Sequence, residues 1–223
     1  MNIYVGYDPK QDIAYKTCVA SVFKNTQSPQ FYTAIPLIQD LLRESGLYWR
    51  EEDERASTPF SLTRFLVPAL NGYKGWAVYC DSDFLWLDDI SHLFALKDDT
   101  KAVQVVQHDY TPNTTIKMDN KENHLYPKKN WSSLMLFNCE HNACRQLTPE
   151  VINSLAPAAL HQFDWCYEEE LGRLPARWNH LVGYYPDNSS VGALHFTDGG
   201  PWLEGYEDVE YAELWKEYSE SVK

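Results

Sequence analysis

Gly75-Trp76-Ala77-Val78-Tyr79-Cys80-Asp81-Ser82-Asp83-Phe84-Leu85-Trp86-Leu87 is the stretch around which the rest of the chain is read. An apolar run without polar alternation predicts a strand covered on both faces, and this one ends in two carboxylates one residue apart. In an open α/β sheet, ligands bind outside the carboxyl ends of the strands, so this is the expected place for a divalent cation and a phosphorylated ligand. Residues 81 and 83 of a strand share a side, and two carboxylates there can grip one hard cation, magnesium or manganese, with positions left for phosphate oxygens. Two surface acids in a turn give the same spelling. Against that, unpaired carboxylates beside a core are costly, and a buried strand does not usually end in clustered charge without a partner.

At 223 residues, with 44% hydrophobic and 14% aromatic residues, the composition is globular and large enough for one sizeable core. Nineteen basic residues against 32 acidic ones leave a formal charge of −13, which would repel a nucleic-acid backbone or an anionic bilayer. No stretch approaches the roughly 20 apolar residues of a membrane span, and the opening Met1-Asn-Ile-Tyr-Val-Gly-Tyr-Asp8 lacks a basic region followed by an apolar one. A cytoplasmic location is the expectation. Cys18, Cys80, Cys139, Cys144 and Cys166 form no CxxC pair and read as reduced packing residues.

Strand-like and helix-like segments alternate. Ile3 to Gly6 reads as a first strand, followed by Tyr15, Cys18, Val19, Val22 and Phe23 at helical spacing with Asp12 as an early-turn acid. Phe31 to Leu37, Ala102 to Gln107, Leu134 to Asn138 and Ala193 to Phe196 are further strand candidates. Thr58-Pro59 predicts a helix start, with Arg64 inside a helix that stops before Pro68. Thr148-Pro149-Glu150 opens another helix, and Tyr211, Leu214, Trp215 and Tyr218 predict an amphipathic terminal one. Asp88 and Asp89 precede a helical run and read as caps, and Arg50 to Arg55 reads as a solvated charge run. No repeat, low-complexity tract or linker divides the chain. The expectation is a single α/β domain with a mixed, mostly parallel sheet flanked by helices.

Ser61-Leu-Thr-Arg-Phe-Leu-Val-Pro68, Gly72-Tyr73 and Ala77 to Phe94 together resemble the core of the nucleotide-sugar glycosyltransferases with a GT-A fold, and within them family 8. In that family an arginine-bearing helix precedes the strand with the Asp-x-Asp motif, which holds manganese against the diphosphate of a UDP-sugar. Asp81, Asp83 and Arg64 match those positions. Tyr4-Val5-Gly6-Tyr7-Asp8 is similar to the family's opening strand, whose loop holds the uridine. His195-Phe-Thr-Asp-Gly-Gly-Pro-Trp202 resembles its His-Phe signature, in which the histidine is the third metal ligand. The resemblance therefore implies Asp81, Asp83 and His195 as ligands of manganese or magnesium. It also implies Gly6, Tyr7, Asp8, Arg64, Ser82, Gly200 and Trp202 as the nucleotide side. Residues 1 to about 95 would be the nucleotide half and about 96 to 223 the sugar and acceptor half.

Read without the resemblance, a histidine closing an apolar segment is more often a hydrogen-bonded core residue than a ligand. Departures from the family pattern are concrete. Trp131 and Ser133 stand where the family's Asn-Ser-Gly has asparagine and glycine, and Gly200 stands where a lysine commonly precedes Pro-Trp, which leaves Arg64, the metal or Arg177 to meet the diphosphate. Gln162-Phe-Asp164 followed by Leu174-Pro-Ala-Arg-Trp-Asn179 resembles the segment beside the anomeric carbon. Asp164 is thus the candidate sugar-side residue, with Gln162 next, although an exposed acid opening a helix would look the same. The implied activity is transfer of a hexose from a UDP-sugar to a carbohydrate or other soluble acceptor with retention of configuration. A sugar-phosphate nucleotidyltransferase is the alternative enzyme, although Gly6-Tyr-Asp-Pro-Lys10 hardly resembles its glycine-rich basic loop. A non-catalytic sugar- or protein-binding domain that kept the fold is the alternative of another class.

Overall fold

The computed structural model describes residues 1–51, 58–109, 128–186 and 190–222. In chain order these form β1 (Asn2–Gly6), α1 (Asp12–Asn25), β2 (Thr33–Leu37), α2 (Gln39–Glu44), α3 (Val67–Leu70), β3 (Trp76–Cys80), β4 (Phe84–Trp86) and α4 (Ile90–Phe94). There follow β5 (Val103–Val105), β6 (Leu134–Asn138), α5 (Asn142–Arg145), α6 (Pro149–Ser154), α7 (Pro157–His161), β7 (Leu171–Arg173), β8 (His180–Leu181), β9 (Ala193–His195) and α8 (Ala212–Ser219).

The main sheet has the order β2-β1-β3-β6-β5-β7, parallel at β2·β1, β1·β3 and β5·β7 and antiparallel on both sides of β6. It is the mixed, largely parallel sheet that the alternation of segments predicts. Period two sorts its side chains between two buried layers. Ile3, Val5, Val78, Cys80, Leu134 and Leu136 pack with Cys18 and Val22 of α1. Tyr4, Ala77, Tyr79, Met135 and Phe137 pack with Phe65, Leu66, Ile152 and Leu160 on the other face. With both faces covered, no polar alternation survives in β3, which is why its sequence reads as a continuous apolar run.

A second sheet, β4-β9-β8, leans on α8 through Leu85, Leu194, Phe196, Trp215 and Tyr218. Its register sets the site: β4 and β9 are antiparallel with Phe84 opposite His195, and the Phe196 N–H donates to the Asp83 carbonyl at 3.0 Å. Four cysteines are buried, one is half-buried, and all five are free.

Some local expectations change. β3 stops at Cys80, and Asp81 to Asp83 form a tight turn into β4, because the chain must leave the main sheet there to join the second. The helix expected from Thr58 is instead a series of turns ending in a 3₁₀ helix at Thr63–Leu66, and Pro68 sits in the first turn of α3 rather than beyond a helix end. A proline costs nothing at that position, where its missing N–H has no intrahelical partner anyway. Asp89 caps α4 by accepting from the Ser91 N–H at 2.8 Å, whereas Asp88 pairs with Arg177 at 2.8 Å and His92 at 3.1 Å. Of the charge run, Arg50 is held rather than solvated, its guanidinium donating to the Ile152 and Leu155 carbonyls at the end of α6; residues 52–57 lie outside the described residues.

Candidate metal and nucleotide site

β1 and β3 are parallel neighbours, with Val5 opposite Cys80, so the Gly6-Tyr7-Asp8 loop and the Asp81 turn leave the sheet side by side. β9 delivers His195 to the same edge through its pairing with β4. One ligand-capable atom from each of Asp81, Asp83 and His195 lies within 4.8 Å of the other two, a grouping that can hold a metal ion. They line a cleft together with Arg64, Ser82, Gln11, Thr58, Phe60, Asn130 and Thr197.

Each member of the trio is held differently. Asp81 is gripped by the Arg64 guanidinium, Nη2 to Oδ1 at 3.0 Å and Nη1 to Oδ2 at 3.3 Å, and also accepts from the Tyr79 hydroxyl. Burial raises the Asp81 pKa. Arg64 and His195 pull it back down, and Asp83 adds to the rise. Burial also pushes the Tyr79 phenol well up, which keeps it a donor to the carboxylate. Arg64 is itself buried, and its Nη1 also donates to the Ser132 carbonyl at 2.8 Å.

Asp83 is different: Oδ2 lies 3.4 Å from His195 Nε2, while Oδ1 is buried and receives no hydrogen bond. A carboxylate oxygen away from water without a donor is costly, and a cation satisfies it as a donor would. The donor set, two carboxylates and an imidazole beside an orphaned oxygen, therefore fits a hard divalent ion such as manganese or magnesium. His195 is 2% exposed, stacks on Phe84 at 4.5 Å between ring centroids, and places Nδ1 2.8 Å from Asn179 Oδ1.

The other sequence candidates take identifiable places. Gly6 lets the Phe60 ring into the cleft wall, since a Cβ there would stand 2.5 Å from a Phe60 carbon. Tyr7 donates to Asp12 at 3.1 Å, and Asp8 caps the following turn by accepting from the Lys10 N–H at 2.9 Å. A Cβ on Gly200 would lie 2.0 Å from the Trp202 ring. Trp202 in turn donates to Gln11 Oε1 at 3.0 Å and lies against Trp215, with ring centroids 5.1 Å apart. Among the described residues, the glycine and tryptophan therefore build the wall behind Gln11 rather than the lining itself. Arg177 is committed to Asp88 and the Ser190 carbonyl.

Gln162 and Asp164 follow α7, with Asp164 exposed; the Gln162 carbonyl accepts from Lys128 Nζ at 2.9 Å. Neither lines the cleft, although Ser132 Oγ meets His161 Nδ1 at 2.9 Å and so ties the end of α7 to the cleft wall. Gln11, Thr58, Phe60, Asn130 and Thr197 line the cleft without any local sequence signal that marks them for it. They are ordinary turn residues made neighbours by the pairing of distant strands.

The sequence is 45% identical over 230 residues to Protein CDI of Arabidopsis thaliana, a match covering 99% of this chain and 88% of that protein. No family model matches. In structure the chain is similar to the glycosyltransferase GlyE of Streptococcus pneumoniae TIGR4, with a TM-score of 0.65 at 14% identity, covering 98% of this chain and 59% of that one. It is also similar to the galactosyltransferase LgtC, solved in complex with donor and acceptor sugar analogues, with a TM-score of 0.61 at 12% identity and 99% and 96% of the two chains covered. At these identities the likeness establishes a GT-A-type glycosyltransferase fold, of which this chain spans little more than half the GlyE length.

Proposed function

The chain belongs to the family of Protein CDI of Arabidopsis thaliana, and from its fold and site we propose that it is a metal-dependent glycosyltransferase moving a hexose from a UDP-sugar to a carbohydrate or other acceptor. The carrying observation is that ligand atoms of Asp81, Asp83 and His195 meet within 4.8 Å of one another beside the carboxyl ends of β1 and β3, with Asp83 Oδ1 buried and free of hydrogen bonds. Asp81, Asp83 and His195 would hold the ion. Bound there, manganese or magnesium supplies neutralisation of the charge that develops on a departing nucleoside diphosphate.

The chain's own residues do the remaining work. Arg64 and Tyr79 fix the Asp81 carboxylate so that its charge is in place before a donor arrives, which spares reorganisation during transfer. Phe60, admitted by Gly6, gives the nucleotide side of the cleft an apolar wall, and Ser82, Thr58 and Gln11 offer it hydrogen-bonding groups. With a net charge of −13, a glycine at position 200 and Arg64 already paired with Asp81, neutralisation of an anionic donor falls chiefly to the ion. Resemblance to family 8 supports retention of configuration and a sugar-side role for Asp164, with Gln162 beside it, and the half from about residue 96 onward as the acceptor side.

Release of nucleoside diphosphate from a panel of nucleotide-sugars, with and without manganese, tests the reading. UDP release that requires manganese supports it. Asp83→Ala is expected to lose both metal-dependent donor binding and turnover by 100-fold or more. Asp164→Asn should keep donor affinity and lose turnover, since charge at the anomeric carbon builds mainly in the transition state. Release from no nucleotide-sugar under any metal condition, by folded protein, overturns the proposal.

A further inference from the structure

Leu174-Pro-x-x-x-Asn179 and Ser133, two features of the sequence that the nucleotide and metal roles leave unused, meet behind His195. Asn179 lies in the 3₁₀ turn Ala176–Asn179 that leads into β8 and is completely buried. Its amide is ordered from both ends. Nδ2 donates to Ser133 Oγ at 2.9 Å and reaches the Asn130 carbonyl at 3.4 Å, while Ser133 Oγ donates onward to that same carbonyl at 2.7 Å. A carbonyl can only accept, so the Asn179 atom facing Asn130 must be the NH₂ and the atom facing His195 must be the oxygen. Asn179 Oδ1, 2.8 Å from His195 Nδ1, can in turn only accept. The proton of the neutral ring therefore sits on Nδ1, and Nε2 turns a lone pair toward Asp83 Oδ2 at 3.4 Å.

Two acceptors at that distance attract nothing between themselves without a cation, and the stacked Phe84 ring prevents the imidazole from turning away. We infer that Asn179, steadied by Ser133, is the positioning residue that fixes the tautomer and orientation of His195 and thereby prepares Nε2 as a metal ligand. The inference rests on the metal reading above. It also accounts for the serine at position 133, where the resembling family has glycine: here the hydroxyl holds the amide of Asn179.

The test uses the full chain and Mn²⁺ alone, free Mn²⁺ being read by electron paramagnetic resonance, alongside long-range ¹H–¹⁵N spectra of the metal-free protein at pH 8. The native protein should show His195 protonated at Nδ1. Asn179→Ala should weaken Mn²⁺ binding by about 10- to 100-fold, the usual loss when a ligand's supporting partner goes. Asn179→Asp, which keeps an acceptor on Nδ1, should restore it, and Ser133→Gly should lose a smaller share. A folded Asn179→Ala that binds Mn²⁺ like the native protein overturns the inference and leaves the metal reading standing. A native protein that takes up no Mn²⁺ overturns the metal reading. Where Asn179→Ala does not fold, Ser133→Gly and the native spectrum decide, and a native His195 protonated at Nε2 overturns the inference without any variant.

Discussion

Arg64 carries two jobs that pull on the same guanidinium. It is buried, grips both oxygens of Asp81 and donates to the Ser132 carbonyl, so its removal strands a half-buried carboxylate as well as changing the cleft. Breaking such a pair from one side costs about 3–5 kcal/mol. Arg64→Ala should lower the urea midpoint accordingly even without nucleotide, and a midpoint equal to that of the native protein would show the pair to be energetically idle. His108 gives the pH dependence. Burial first, and then the nearby His195, push its pKa down from 6.5 to about 3. The folded state thus binds this proton less readily than the unfolded chain. The stability it contributes is present above about pH 6.5 and is lost as pH falls toward 3, at a slope approaching about 1.4 kcal/mol per pH unit. Urea midpoints measured between pH 7 and 5 should fall in the native protein and fall less steeply in His108→Gln.

At the scale of elements, the end of β1 is built around one close approach. Gly6 has no side chain because the Phe60 ring occupies that space, three of its carbons lying within 2.9 Å of where a Cβ would stand. Gly6→Ala must push Phe60 outward, an overpacking cost of about 1–3 kcal/mol, and since Phe60 lines the cleft the displacement narrows the site as well. Thermal melting should show the first effect, and weaker UDP binding measured calorimetrically the second. α8 is tied to the same region from the other side. Trp215 backs Trp202, Trp202 bonds Gln11, and Tyr218 donates to Asn25 near the end of α1. The acidic terminal helix that the sequence predicts as amphipathic is thus the buttress of the cleft wall.

For the whole molecule, a ligand that binds only the folded state stabilises it by mass action, by about 2.7 kcal/mol at one hundred times its dissociation constant. Manganese with UDP should therefore raise the melting temperature by several degrees, EDTA should abolish the rise, and Asp83→Ala should show none. A shift from UDP that is indifferent to EDTA would argue against an ion between the carboxylates and the diphosphate. No helix among the described residues is long and apolar enough to cross a membrane.

Elements whose patterns are local follow from the chain's own residues. β6 at Leu134–Asn138 and the Thr148 cap of α6 are legible because a fully buried strand is continuously apolar and a helix start needs a side-chain acceptor for its first N–H groups. Asp81, Asp83 and His195 were legible as candidate residue types at strand ends. Their meeting is a product of the folded packing. More than a hundred residues separate Asp83 from His195, and it is the pairing of Phe84 with His195 across β4 and β9, a hydrogen-bond register that no local spacing encodes, that sets their side chains 3.4 Å apart. The same holds for Asn179 and Ser133, whose meeting depends on β8, β9 and β6 being brought to one edge. Local periodicity reports which face of a segment is buried; it carries no record of which distant segment covers it, because that is settled by packing among all the elements at once.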